Sequence, residues 1–292
     1  MPDTDIQQRF LFENGHVRGD FVRLEASYHA VRERYNYPEE VGQQLGQALV
    51  ASTLLSATIK YSGALVMQIQ SNGPINMLVA QCNHKRHIRG LARWQRAVPQ
   101  DADLTQTYGQ GRMVITIDND HNDERYQGIV SLDGCALADA IESYFRQSEQ
   151  LETRLWLAAD EHQAVGMLLQ RLPDTQSKDD DLWHRIETLG ATLTEQELLH
   201  LSTQEILHRL FHEENIRLFD PEPVSFRCSC SREKIITVLR GLGSEEAHAI
   251  LATRGTIEVG CDFCNHHYSF DKIDAEAIFA TQTQTPTPST RH

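Results

Sequence analysis

Four of the six cysteines in this 292-residue chain fall in one stretch near its C-terminal end, as Cys228-Ser-Cys230 and Cys261-Asp-Phe-Cys264, with thirty residues between the pairs. Two short thiol loops brought together by a folded insert can supply four sulfur ligands to a tetrahedral zinc, because each loop presents both its sulfurs on one side. The residues therefore predict one Zn2+ per reduced chain, bound by Cys228, Cys230, Cys261 and Cys264. A reading as two structural disulfides needs an oxidising compartment, and the stretch Met1 to Gln8 has no apolar signal core. His266 and His267 follow the second pair, but four thiolates already close the shell, so both histidines are left outside the site.

The spacing bears on reactivity as well. A disulfide within Cys228-x-Cys230 would close a small ring whose torsion departs from the relaxed value near about 90°, and such strained bonds are easily reduced. Cys261-x-x-Cys264 has the spacing of reversible dithiol switches, and a zinc-bound sulfur is held as the thiolate that oxidants attack. On chemistry alone the frame is a structural staple or a redox sensor, and both readings stand. A thiol-disulfide oxidoreductase is the competing class, but it would place its pair at a strand-to-helix turn, whereas Cys264 precedes the strand-like His267 to Phe270. Cys82 and Cys135 are isolated, and a lone cysteine is usually a small apolar residue, so neither is given a role. No Ser-His-Asp set, phosphate-cradling loop or paired-carboxylate motif stands out, and Gly109-x-Gly111 lacks the third glycine of a dinucleotide site. No catalytic residue is predicted.

The rest of the chain must position this frame. Asp plus Glu total 41 against 27 Lys plus Arg, a net charge of −14 that repels phosphate backbones and anionic membranes. This disfavours nucleic acid, including the reading of the cysteines as a nucleic-acid-binding zinc ribbon. No run reaches the about eighteen apolar residues of a membrane span; the nearest, Leu45 to Ile59, is broken by Gly46, Gln47, Ser52, Thr53 and Ser56. A cytoplasmic protein with no membrane partner is expected.

In chain order, Arg9 to Phe12 and Val17 to Leu24 read as strands around an Asn14-Gly15 turn. Pro38-Glu-Glu opens a helix whose face carries Val41, Leu45, Ala48, Leu49, Ser52 and Leu55. Strand pairs follow at Ala64–Gln70 with Ile75–Cys82, then at Gly109–Asp118 with Glu124–Leu132 across the polar turn from Asn119 to Asp123; Arg86 to Gly90 reads as an edge strand. A helix from Leu137 to Phe145 and strands at Leu151–Leu157 and Gln163–Gln170 complete a domain over 1–173. From Leu172 to Asp181 the composition turns polar and acidic, a boundary signal. Asp174 to Arg227 holds twelve carboxylates against five Lys and Arg. Leu182, Trp183, Ile186 and Leu189, then Leu198, Leu199, Ile206, Leu207, Leu210 and Phe211, nevertheless keep helical spacing. Thr194-x-x-Glu197 matches a capping box, and Leu218 to Pro223 should stop the last helix. Helices this short need a neighbouring surface, so 174–226 is expected to be a docked, labile linker. Within 227–280, Ser231 caps a helix through Leu239 ending before Gly241, Ser244 starts a second ending near Gly255, Thr256–Gly260 and His267–Phe270 are strands, and Asp271–Phe279 is a final helix. Residues 281–292 read as a disordered tail. The fold class expected is α+β, with an antiparallel-rich sheet and helices in the N-terminal domain, a helical linker and a small C-terminal zinc-binding domain.

With both cysteine pairs at this separation, Gln68-Ile-Gln-Ser-Asn-Gly-Pro74, Ile88-Arg-Gly-Leu-Ala92, Tyr126-Gln-Gly-Ile-Val130 and Ser143-Tyr-Phe-x-x-Ser-Glu-Gln150, the chain resembles the bacterial 33-kDa heat-shock protein family of redox-regulated chaperones over almost its whole length. The resemblance implies an ATP-independent holdase, not an enzyme: a substrate-binding N-terminal domain, a metastable linker and a C-terminal zinc switch. It implies that oxidation pairs Cys228 with Cys230 and Cys261 with Cys264 and releases zinc. It also implies unfolded or oxidatively damaged proteins as clients, and a homodimer in the oxidised state.

Overall fold

The chain divides into two units, Met1–Arg227 and Cys228–His292. The computed structural model describes residues 4–14, 16–119, 125–173 and 181–280. Four expectations fall wholly or partly outside these residues: the turn at Gly15, the turn after Asn119, the boundary segment before Asp181 and the tail after Ala280.

The first unit runs β1 (Ile6–Phe12), β2 (Val17–Leu24), α1 (Ala26–Arg32), α2 (Glu39–Thr58), β3 (Gly63–Ser71), β4 (Ile75–Asn83), β5 (His87–Trp94), α3 (Leu104–Tyr108), β6 (Gly111–Asn119), β7 (Arg125–Ser131) and α4 (Leu137–Tyr144). A π-turn at Phe145–Glu149 leads to β8 (Thr153–Ala159) and β9 (Ala164–Arg171), then α5 (Leu182–Gly190), α6 (Glu195–His200), α7 (Thr203–Phe211), β10 (Ile216–Leu218), β11 (Glu222–Pro223) and β12 (Ser225–Phe226). These strands form two six-stranded sheets: β10-β1-β2-β9-β8 with β11 also on β1, and β12-β5-β4-β3-β6-β7. All neighbours are antiparallel except β12 on β5. The α+β class with antiparallel-rich sheets is thus the observed one.

Helix α2 explains how the two sheets share a core. Glu39 and Glu40 sit in its first turn, where carboxylates favour the helix dipole. The sequence predicts one apolar face, yet Val50, Ala51 and Leu54 are as buried as Leu45 and Leu49, because strands of both sheets pack around it. Its small residues permit this: a Cβ at Gly46 would stand 2.9 Å from both the Ala159 Cβ and the Tyr28 ring. The hydroxyls of Ser52 and Thr53 are satisfied within the helix by the Leu49 carbonyl, each at 2.8 Å, so burying them leaves no unpaired donor.

The described part of the expected linker belongs to this first unit. Leu182, Trp183, Ile186, Leu198, Leu199, Ile206, Leu207, Leu210 and Phe211 are buried with Phe10, Phe12, Phe21, Val165 and Met167 in a second core on the first sheet. Leu189 departs from expectation: it is 37% exposed, on the far side of α5. The capping box at Thr194 and Glu197 forms, and Ser202 with Glu205 makes another that heads α7. From Arg23 on β2, guanidinium N–H groups donate to the carbonyls of Leu199 at 2.5 Å and Leu201 at 2.7 Å, clamping the end of α6. Two corrections follow from the strands of this segment. Phe211, not Leu218, ends the last helix, because Ile216–Leu218 finds partners along the β1 edge. The 87–94 strand is not an edge, because β12 pairs beside it.

In the second unit, α8 (Arg232–Leu242), α9 (Ser244–Arg254), the hairpin β13 (Ile257–Gly260) with β14 (His267–Phe270), and α10 (Lys272–Ala280) surround a core of Leu239, Ala247, Ile257, Phe270 and Ile278. Ser231 caps α8, accepting from the Lys234 N–H at 3.3 Å. That helix continues through Gly241, where a break was expected, and stops at Gly243, whose φ of 98° only glycine adopts easily.

Candidate metal centre

The second unit brings its four cysteines together from two places. Cys228 and Cys230 lie in the extended chain leading to the Ser231 cap, so the start of α8 fixes their direction. Cys261 and Cys264 occupy the turn between β13 and β14, closed by the Cys261 N–H donating to the His266 carbonyl at 2.9 Å and the Asn265 N–H to the Cys261 carbonyl at 2.8 Å. Asn265 takes a left-handed φ of 55° to make that turn.

Across the two loops, the Cys228 and Cys261 Sγ atoms stand 3.6 Å apart and those of Cys230 and Cys264 3.4 Å. All four sulfurs lie within 4.8 Å of one another and all four thiols are free, so the set could hold a metal ion. Four thiolates about 2.3 Å from a tetrahedral zinc stand about 3.8 Å apart, so the donor type and spacing fit such an ion. Outside the four sulfurs, the Tyr268 hydroxyl donates to Cys230 Sγ at 3.2 Å and is pushed up to about 12 by that bond to sulfur. Contacts of this kind orient ligands and tune their basicity.

As free thiols the four are unequal. Burial works to raise Cys228, but hydrogen bonds from the Cys230 backbone N–H and from neighbouring thiols outweigh it and hold it down to about 7. Burial raises Cys261, and it pushes Cys264 up to about 12 with help from the sulfurs around it. These hydrogen bonds favour Cys228 as a thiolate, the form that meets a cation or an oxidant.

His266 packs edge-on against the Tyr268 ring, 4.7 Å between centroids, and neither it nor His267 belongs to the cluster. Cys82 is fully buried, and burial pushes its thiol up to about 11; Cys135 is exposed before α4. Sequence reasoning missed Tyr268, although its place four residues after Cys264, on a strand returning past the turn, was a usable signal.

Fold and site together define a class: a two-sheet α+β body followed by a small module with four clustered thiols. The family model described as "Hsp33 protein" matches residues 5–271. The "33 kDa chaperonin" of Nitrosococcus oceani is 53% identical over 292 residues, covering all of both chains, and that of Shewanella loihica is 46% identical over 275 residues, covering 94% of this chain and 96% of its own. A crystal structure of the Thermotoga maritima 33 kDa chaperonin shares the fold, with a TM-score of 0.83 at 22% identity over 96% of this chain and 100% of that one. The chain belongs to the Hsp33 family. Chaperone function, rather than catalysis, is what this membership supports. Among the described residues no helix is long and apolar enough to cross a membrane.

Proposed function

We propose that the chain is a redox-regulated, ATP-independent holdase for unfolded or oxidatively damaged proteins, acting in the cytoplasm. The observation that carries this is the four-sulfur cluster standing in a unit with one small core, built around Leu239, Ala247, Ile257, Phe270 and Ile278. A zinc ion bound by Cys228, Cys230, Cys261 and Cys264 would supply roughly 10 to 16 kcal/mol of ligation free energy, more than so small a core leaves in reserve. Oxidation removes these ligands. Cys228 with Cys230, and Cys261 with Cys264, would each close one S–S bond; for each bond the two thiolates give two electrons to hydrogen peroxide, which takes two protons from solvent and leaves as two waters, and the zinc that the four sulfurs would hold goes into solution. The second unit then loses its fold.

Residues 174–226 are the natural second responder in this scheme. Helices α5, α6 and α7 are nine, six and nine residues long, too short to persist without the sheet they lie on. β12 ends two residues before Cys228 in the chain, so disorder spreading back from the cysteines reaches this segment first. Its release uncovers Phe10, Phe12, Phe21, Val165 and Met167, a contiguous apolar surface of the kind that holds unfolded chains or a second oxidised copy in a homodimer. Nucleic acid and membranes are not partners in this reading, in keeping with the net charge of −14.

Zinc content and suppression of aggregation of a chemically unfolded client, measured on the full chain before and after peroxide, test the proposal together. The expected result is one zinc and little suppression when reduced, no zinc and strong suppression when oxidised. An oxidised, zinc-free chain that leaves aggregation unchanged would remove the holdase reading, and catalytic turnover of a dithiol substrate would favour an oxidoreductase instead.

A further inference from the structure

The first sheet ends on β1, and what covers its edge is a poor strand. Residues 216–218 pair with Phe10, Leu11 and Phe12, and residues 222–223 with Ile6 and Gln7. Between them the register slips by one residue at Asp220-Pro221, so that Gln8 and Arg9, paired with β2 on their other side, fall outside both of these short ladders. An open cleft of about 560 Å³ marks the break, lined by Arg9 and Leu11 of β1 and by Phe219, Asp220 and Pro221. Pro221 and Pro223 have no N–H to give; carried on in the register of residues 216–219 they would face Gln7 and Asp5, and the slip sets Glu222 and Val224 there instead, so the occupant cannot pair along the edge in one register.

The edge itself is regular. The Glu13 N–H donates to the Asn215 carbonyl at 2.9 Å, and the Arg9 and Asp5 carbonyls accept from Phe219 and Val224 at 2.9 and 2.8 Å. Odd-numbered residues from 5 to 13 therefore turn their main-chain groups outward, while even-numbered ones bond to β2. Opposite Phe10 and Phe12, and so on the same face, stand Leu218 and Ile216, partly buried in the core that those phenylalanines anchor. Arg217 lies on the other face. The resident strand thus displays what this edge selects: an extended backbone with apolar side chains at alternate positions.

We infer that the β1 edge is a strand-addition site for unfolded polypeptide, and that residues 216–223 are its built-in, displaceable occupant. The inference rests on the holdase reading and gives the mode of client recognition. An exposed edge of this length invites pairing, and covering it with a segment that pairs incompletely keeps it closed yet easily vacated. A client segment without proline could pair along this edge in one register, without the interruption at Asp220-Pro221. Sequence tolerance follows, because the backbone carries the affinity and the alternating apolar side chains only set the face.

The test uses the full chain, oxidised and zinc-free, with a ten-residue alternating Val-Thr peptide and the same peptide N-methylated at every residue, so that both edges lose their N–H groups. Strand addition predicts binding at least roughly tenfold weaker for the methylated peptide, since two or three net backbone bonds are lost. It also predicts that amide exchange slows at Leu11 and Glu13 when the unmodified peptide is added, while Phe10 and Phe12 stay protected by β2 throughout. Equal binding of the two peptides by a chain that does suppress aggregation would overturn strand addition and leave the holdase standing; failure to suppress aggregation removes both. Slowed exchange at Leu11 and Glu13 in the oxidised chain without peptide would assign the edge to a second copy of this chain and likewise overturn the inference.

Discussion

The two units are held together by different means. In the first, α2 is enclosed by two sheets, and a second core under α5 to α7 adds a further apolar layer. In the second, three helices and a hairpin form one small core around Leu239, Ala247, Ile257, Phe270 and Ile278. Burial contributes roughly 1.5 to 3 kcal/mol per large apolar side chain, and the second unit has far fewer such side chains to set against the conformational entropy of ordering its helices and hairpin. The contrast bears on control: a unit stabilised by diffuse burial has no single point of failure, whereas one that depended on a metal held by four sulfurs, as proposed for the second unit, would be open to switching by thiol chemistry.

Removing one of those sulfurs should break the comparison most sharply. Cys261→Ser is expected to abolish stoichiometric zinc and leave residues 228–280 without slowed amide exchange. The first unit should stay folded. All three tryptophans, Trp94, Trp156 and Trp183, lie in the first unit, so their fluorescence reports on it alone. Metal analysis showing undiminished zinc in this variant would sink the four-sulfur assignment.

A matched pair of core truncations comes next. Phe270 is fully buried, with the Arg232 guanidinium 4.2 Å from its ring centroid, and Phe270→Ala should cost about 3 to 5 kcal/mol. Leu49→Ala on α2 should cost about 2 to 5 kcal/mol in the first unit. The expected outcomes differ despite the similar cost. Phe270→Ala should surrender zinc to a competing chelator at least about tenfold more readily, because folding and binding share one free energy, while Leu49→Ala should merely lower the midpoint of tryptophan-detected unfolding. Unchanged zinc transfer in Phe270→Ala would show that the cluster holds metal without help from its small core.

The parts of this architecture readable in the sequence are those whose causes are local. Cysteine spacing, the acids opening α2 and the Thr194 capping box each carry their own signal within a few residues. Helix α1 does not. Its first amides, of Ala26 and Ser27, donate to the Asp5 carboxylate at 2.9 and 2.8 Å, so its cap is supplied from twenty or more residues away. Strands β10, β11 and β12, of three, two and two residues, are too short to show a period and exist because β1 and β5 present edges to them. The Ser202 and Asp103 capping boxes were legible and passed over, the latter heading a helix of only five residues. At the metal centre the four sulfurs were evident from spacing, while Tyr268 depends on how the β13–β14 hairpin folds back.

The boundary between robust and switchable parts runs through the linker helices, and Arg23 tests where. It reaches from β2 to the last carbonyls of α6, where a guanidinium also complements the helix dipole. Arg23→Ala should weaken docking of α5 to α7 by about 2 to 3 kcal/mol, raising their amide exchange roughly 30- to 160-fold with β2 and β9 unaffected. In the proposed mechanism it should also lower the oxidant dose for half-maximal suppression of aggregation. Faster exchange with an unchanged dose would take linker release out of the switch.

The smallest effect concerns the price the robust unit tolerates at Asp20. This carboxyl is fully buried on β2; its Oδ1 accepts from the Gln7 amide at 3.0 Å and lies 3.6 Å from the Arg9 Nε, while Oδ2 has no hydrogen-bond partner among the described residues. Burial raises it to about 6, against the opposing pull of Gln7, Arg9 and Arg18. A folded-state value above the unfolded one means that the native state binds the proton more tightly. Its stabilising contribution is therefore fully present below about pH 4 and is lost as pH rises through about 6. From about pH 5 to pH 7 the loss is about 1 kcal/mol. Asp20→Asn removes the titration while keeping an oxygen for Gln7, so the difference in denaturant midpoint between variant and parent should grow in the variant's favour over that interval. Tryptophan fluorescence follows the first unit alone, which keeps thiol and metal titrations out of the measurement. A difference that stays constant with pH would mean that Asp20 remains ionised in the folded chain, with Arg9 and Arg18 compensating its burial more fully than their distances suggest.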